Sequence, residues 1–92
     1  MEENTEILQS LENPDLILVR YKNYFYNRYE LTIEVNNREC PKYPLIFRVS
    51  KRCEEKEIDE LTIRLMSIVD QEFPGNTWEL VPRQYQEVNE IK

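Results

Sequence analysis

Cys40 and Cys53 are the side chains of this 92-residue chain best suited to nucleophilic work. A thiol attacks as its thiolate, so it needs a neighbouring base or a positive field. The chain has no histidine, which removes the commonest general base and the usual zinc partner together. Around Cys53, Glu54, Glu55 and Glu57 oppose thiolate formation, while Lys51, Arg52 and Lys56 offset them to near neutrality. The expectation is two free thiols without catalytic duty, in keeping with a small intracellular protein.

Carboxylates are the other abundant reactive groups. Glu2/Glu3, Glu54/Glu55 and Asp59/Glu60 are adjacent in sequence, and on a helix such neighbours diverge by about 100° rather than converging on a substrate. Neither acid–base catalysis nor metal binding is expected, and no cofactor. The lone glycine, Gly75, rules out phosphate-cradling loops. The sequence thus reads as non-enzymatic.

The segment "YKNYFYNRY" (21–29) concentrates four tyrosines and a phenylalanine beside Lys22 and Arg28. Such a cluster can fill cross-strand pairs of a hairpin, anchor a protein partner or stack bases. A net charge of −6, from 18 acids against 12 bases, disfavours nucleic acid and anionic membranes, which both need a basic field. No apolar run is long enough to span a bilayer and no leader-like signal opens the chain. A cytoplasmic or nuclear location is expected by default.

These side chains need elements to hold them. Asn4 or Thr5 suits the cap of a first helix with Ile7, Leu8 and Leu11 on one side, stopped at Asn13-Pro14-Asp15. Residues 16–22 and 29–35 read as strands joined by a turn near 23–27, with Leu31, Ile33 and Val35 alternating against Glu30, Thr32 and Glu34. A third strand follows at 45–50. Residues 54–73 form the clearest helix: Ile58, Leu61, Leu65, Ile68, Val69 and Phe73 share one stripe, and Lys56, Glu60, Arg64, Ser67 and Gln71 oppose it. Residues 77–81 read as an extended or irregular connector, with Trp78 packed between the long helix and a last helix starting at Pro82 and holding Tyr85, Val88 and Ile91. Pro41 and Pro44 bracket Tyr43 in "CPKYPLIFRVS", which predicts a stiff, extended entry into the third strand. Tyr43 is expected against the helix layer. The whole is an α+β domain of order α-β-β-β-α-α, a three- to four-stranded antiparallel meander covered on one face by helices.

Three stretches, "TEILQSLENPDLILV" (5–19), "CPKYPLIFRVS" (40–50) and "ELTIRLMSIVDQEFPGNTWELVPRQYQEV" (60–88), together resemble an RWD domain, the catalytically inactive relative of the ubiquitin-conjugating fold. The middle stretch is similar to the family's tyrosine-proline motif, although no second proline follows Pro44 within a few residues. The resemblance implies a single RWD-like domain over residues 1–92, with Pro41, Tyr43 and Pro44 as its structural motif. It implies docking of a regulatory, ubiquitin-ligase-system or translational-control partner, as in the stress kinase that carries such a module. The acidic face of the long helix would meet a basic protein surface, at positions matching Glu55, Asp59, Glu60 and Asp70. Two other readings stand beside it. One is a small acidic inhibitor or immunity-type protein that blocks a basic site. The other is a double-stranded-RNA-binding domain, whose helix–three strands–helix order is the same but whose second helix would start with lysines rather than "CEEKEIDE". Nothing in the sequence fixes an oligomeric state.

Overall fold

The computed structural model of the chain describes residues 3–82 apart from Lys42. The described chain runs β1 (Glu3–Ser10), β2 (Leu16–Phe25), β3 (Arg28–Asn37), β4 (Leu45–Cys53), a 3-10 turn (Glu55–Glu57), α1 (Ile58–Glu72) and β5 (Trp78–Leu80). The strands form one antiparallel sheet in the order β4-β3-β2-β1-β5.

Register decides what each face carries. Leu18 lies opposite Val35, Arg20 opposite Ile33, and Ile33 in turn opposite Val49. By the period-two rule Leu18, Leu31, Ile33 and Val35 therefore share one face. Against it α1 lays Ile58, Leu61, Leu65 and Val69, all buried in the same cluster. Phe47 and Phe73 close one end of that core edge-to-face, with ring centroids 5.8 Å apart. Burial of a side chain of this size contributes about 1.5–3 kcal/mol, and this cluster is where the fold's stability is concentrated. Arg20 ties the layers together at their margin: one guanidinium nitrogen donates to Glu6 on β1 at 3.1 Å and the other to Thr62 on α1 at 3.2 Å.

The expected α-β-β-β-α-α, RWD-like architecture is overturned. The molecule is mostly sheet, five strands with one α-helix among the described residues. The first element is a strand. Helical spacing of Ile7, Leu8 and Leu11 is outweighed because eight residues make a marginal helix alone, whereas as a strand they pair along β2 and offer Leu8 to the core cluster. Leu11, the third member of the supposed helical stripe, is left 57% exposed. The double-stranded-RNA-binding order falls with the first helix.

Further departures are local. The connector at 77–81 is extended, one of its two expected forms, but it also joins the sheet as β5, which pairs with β1 from Leu8 to Ser10. Trp78 packs on the core from that strand. Its Nε1 is buried without a hydrogen-bond partner. Ile68, assigned by spacing to the buried stripe, is 40% exposed. The last helix expected from Pro82, with Tyr85, Val88 and Ile91, lies outside the described residues except for Pro82 itself.

Candidate interaction surface

The sequence-derived site residues fall on one continuous stretch, and their surroundings distinguish them. Glu54 precedes the 3-10 turn, and its backbone N–H donates to the Glu57 side chain at 2.8 Å. That bond starts the helical run with a carboxylate at its positive end. Glu55, on the turn, accepts a hydrogen bond from the Tyr29 hydroxyl at 2.9 Å. It is therefore partly engaged in holding the turn to β3. Asp59 and Glu60 occupy the first turn of α1 and are exposed. Asp70 is exposed near the other end, where the last turn contains no base.

Ile63, which sequence spacing did not single out, completes this face. It is 71% exposed, the most exposed aliphatic side chain among the described residues. With about 100° per residue, it sits within about 60° of Asp59, Glu60, Ser67 and Asp70 around the helix axis, and of Met66, which is partly buried against the core. The readable signal was an apolar residue in the middle of a polar stripe. The face is thus a solitary isoleucine framed by three carboxylates, turned away from the sheet that Leu61 and Leu65 bury against.

The thiols are kept apart. Cys53 is buried at the end of β4; burial, and after it the charge of Glu57, push its pKa up. Cys40 lies in the turn before β4, half-buried and also free. Eight residue steps of extended strand between Leu45 and Cys53 span about 26 Å, so the two sulfurs do not meet. Among the described residues no group of three or more acidic or cysteine side chains is placed to hold a metal ion. No helix of the described residues is long and apolar enough to cross a membrane.

The proline corner is built differently from its expected form. Tyr43 has φ +45°, a left-handed conformation rather than an extended one. Its N–H donates to the Cys40 carbonyl at 3.1 Å, and the Cys40 N–H donates to Asn37 at 3.3 Å. Two successive turns thus override the extended bias that Pro44 puts on its predecessor. Tyr43 and Pro44 then border a cleft of about 500 Å³ with Ile7, Ile17, Val19 and Tyr21 on the sheet face away from α1. Tyr43 is not against the helix layer. Pro41, Tyr43 and Pro44 act here as the turn that delivers β4 to β3, next to the register shift at Val35/Asn36.

The tyrosine-rich segment forms the β2–β3 hairpin. Tyr24 meets Tyr29 edge-to-face at 5.3 Å. Lys22 lies 5.5 Å from the Tyr29 ring and Arg52 5.4 Å from the Phe25 ring. These pairs occupy both bases on aromatic faces of the same sheet. At the tip Tyr26 is 82% exposed.

No family model, curated protein or solved structure matches the chain.

Proposed function

We propose that this chain is a non-catalytic protein-interaction module that presents the solvent face of α1 to a basic surface on another protein. One observation carries the reading: Ile63 is 71% exposed at the centre of a frame formed by the exposed Asp59, Glu60 and Asp70. A buried apolar anchor inside a charged rim is the usual anatomy of a docking patch. The placement of Asp70 adds to it. A carboxylate near the negative end of a helix dipole, without a base in the last turn, costs stability, which is consistent with retention for another purpose. Glu55 contributes at the margin, limited by its bond to Tyr29. The ubiquitin-ligase and translational-control partners came with the RWD resemblance, and the sheet-rich topology lends them no support.

A photo-crosslinking residue at position 63, compared with one at the exposed Glu39, tests the reading in cells. Position 63 should give a discrete adduct that position 39 does not. With the captured protein purified, Asp59→Lys/Glu60→Lys should weaken binding at least about tenfold, which corresponds to about 1.4 kcal/mol. Equal adducts from both positions, or unchanged affinity of the double variant, would refute the assignment of this face.

A further inference from the structure

β4 ends the sheet on one side. Its nine residues, Leu45–Cys53, pair with β3, and among the described residues the strand has no neighbour beyond it in the sheet order. Among the described residues, no strand pairs with the second row of backbone N–H and C=O groups along β4, the row that an edge strand offers for pairing. The opposite edge is managed in another way, by a β5 of only three residues.

The side chains of this long edge have one sign. The strand "LIFRVSKRC" contains Arg48, Lys51 and Arg52 and no acid, in a chain whose net charge is −6. Arg48 and Arg52 share the sheet face away from α1, and Lys51 lies on the other. Arg48 reaches Glu34 on β3 at 3.4 Å, yet its side chain remains 57% exposed. At the start of the strand Leu45 and Ile46 are 52% and 49% exposed. No proline or glycine interrupts the nine residues, and the register shift that leaves Ile46 without a partner on β3 lies at the strand's start, so a guest strand could follow the regular edge from Phe47 to Cys53.

From this edge we infer a second docking site, apart from the helix face: β4 accepts an extended, acidic segment of another protein as a sixth strand. Main-chain hydrogen bonds would hold the segment. Its carboxylates would lie along the Arg48–Arg52 row and an apolar residue against Leu45 and Ile46. A second copy of this chain fits poorly. Pairing β4 with itself in any register gathers six cations and no acid on two adjacent strands, and like charges across a ladder repel. The overall acidity does not forbid an acidic guest, because charges more than about 8 Å away are largely screened at physiological salt. The competing explanation is that these bases only guard the edge against unwanted pairing.

The test is a titration of the full, isotopically labelled chain, observed by amide NMR. The probe is a ten-residue peptide of alternating glutamate and valine; its lysine–valine counterpart serves as control. The glutamate peptide should shift the amides of residues 45–53 and slow their hydrogen exchange severalfold, and the lysine peptide should do neither. Arg48→Glu/Arg52→Glu should weaken binding by at least about fivefold, in line with two lost rim charges. If that variant does not fold, Arg48→Gln/Arg52→Gln takes its place. Absence of β4 protection at millimolar glutamate peptide would overturn the inference. So would an equal response to the lysine peptide, or β4 protection that instead grows with protein concentration as a dimer forms.

Discussion

The carboxylate of Glu12 grips Thr77 at two points, accepting its backbone N–H at 2.6 Å and its hydroxyl at 2.9 Å across a sequence separation of 65 residues. The Leu11 N–H donates to the Thr77 carbonyl at 3.0 Å, and Ser10 and Asn76 share a short side-chain hydrogen bond. This clasp fixes the chain that leaves α1 onto the β1–β2 connection. From there β5 begins its pairing with β1.

The two bonds from Thr77 hold the Glu12 carboxyl below the usual glutamate value of 4.5, the backbone N–H first and the hydroxyl second. A group whose pKa is depressed on folding stabilises the native state above its unfolded value, and that contribution fades as pH falls through the folded value. Stability of the native chain should therefore drop as pH falls below about 4.5. Glu12→Gln should remove part of that drop while lowering stability slightly at pH 7. Urea denaturation at pH 7 and pH 3 checks both; an unchanged pH dependence would count against the clasp.

Thiol labelling at pH 8 should be biphasic. Cys40, half-buried in a turn, should react quickly with a disulfide reagent. Cys53 should react only as fast as the domain opens, because burial keeps it protonated as well as shielded. Two fast equivalents would contradict the packing at the end of β4.

Two large-to-small substitutions should separate core from surface. Leu18→Ala removes a side chain that is 0% exposed and should cost about 2–5 kcal/mol. Ile63→Ala should stay within about 0.5 kcal/mol of the native chain. Equilibrium unfolding in urea measures both.

The hairpin tip contains a correctable strain. Tyr26 and Asn27 have φ of +49° and +62°, the primed turn that joins strands with two loop residues. Asparagine adopts that region at lower cost than tyrosine. Tyr26→Asn should therefore raise stability by up to about 1 kcal/mol, less whatever contact is lost against the Phe25 ring at 4.3 Å. A lower melting temperature would show that the ring contact outweighs the backbone term.

Asp70→Lys should separate stability from docking. Replacing an acid by a base near the negative helix end is favourable by about 0.3–1 kcal/mol. The same change removes one carboxylate from the frame around Ile63, so affinity for a basic partner should fall. A variant that is both more stable and a weaker binder supports the proposed use of this face.

Legibility followed the range of the interactions. The alternation of Leu31, Ile33 and Val35 and the stripe of Ile58, Leu61, Leu65 and Val69 are properties of single segments, and both are buried where period and spacing put them. Glu60 was visible for the same reason, since a polar stripe is the complement of an apolar one, whereas Asp59 and Asp70 entered only through the RWD resemblance. Ile63 was obscured because one apolar residue among polar neighbours barely alters the pattern.

Residues 3–10 were misread as a helix, and the extended stretch at 77–81 was not recognised as part of the sheet, because both are fixed by partners far along the chain. β1 is a strand because β2 lies on one side of it and β5 on the other, and β5 exists because Glu12 and Ser10 hold Thr77 and Asn76 in place. Tyr43 likewise turns left-handed through bonds to Cys40 and Asn37 that close a loop rather than through its own preference. What the amino-acid order determined by itself was the local periodicity, the charge balance and the helix that displays an acidic face. Which short segments joined the sheet, and so which edge remained open, was decided only in three dimensions, because backbone pairing between distant segments outweighs the weak preferences of eight or three residues.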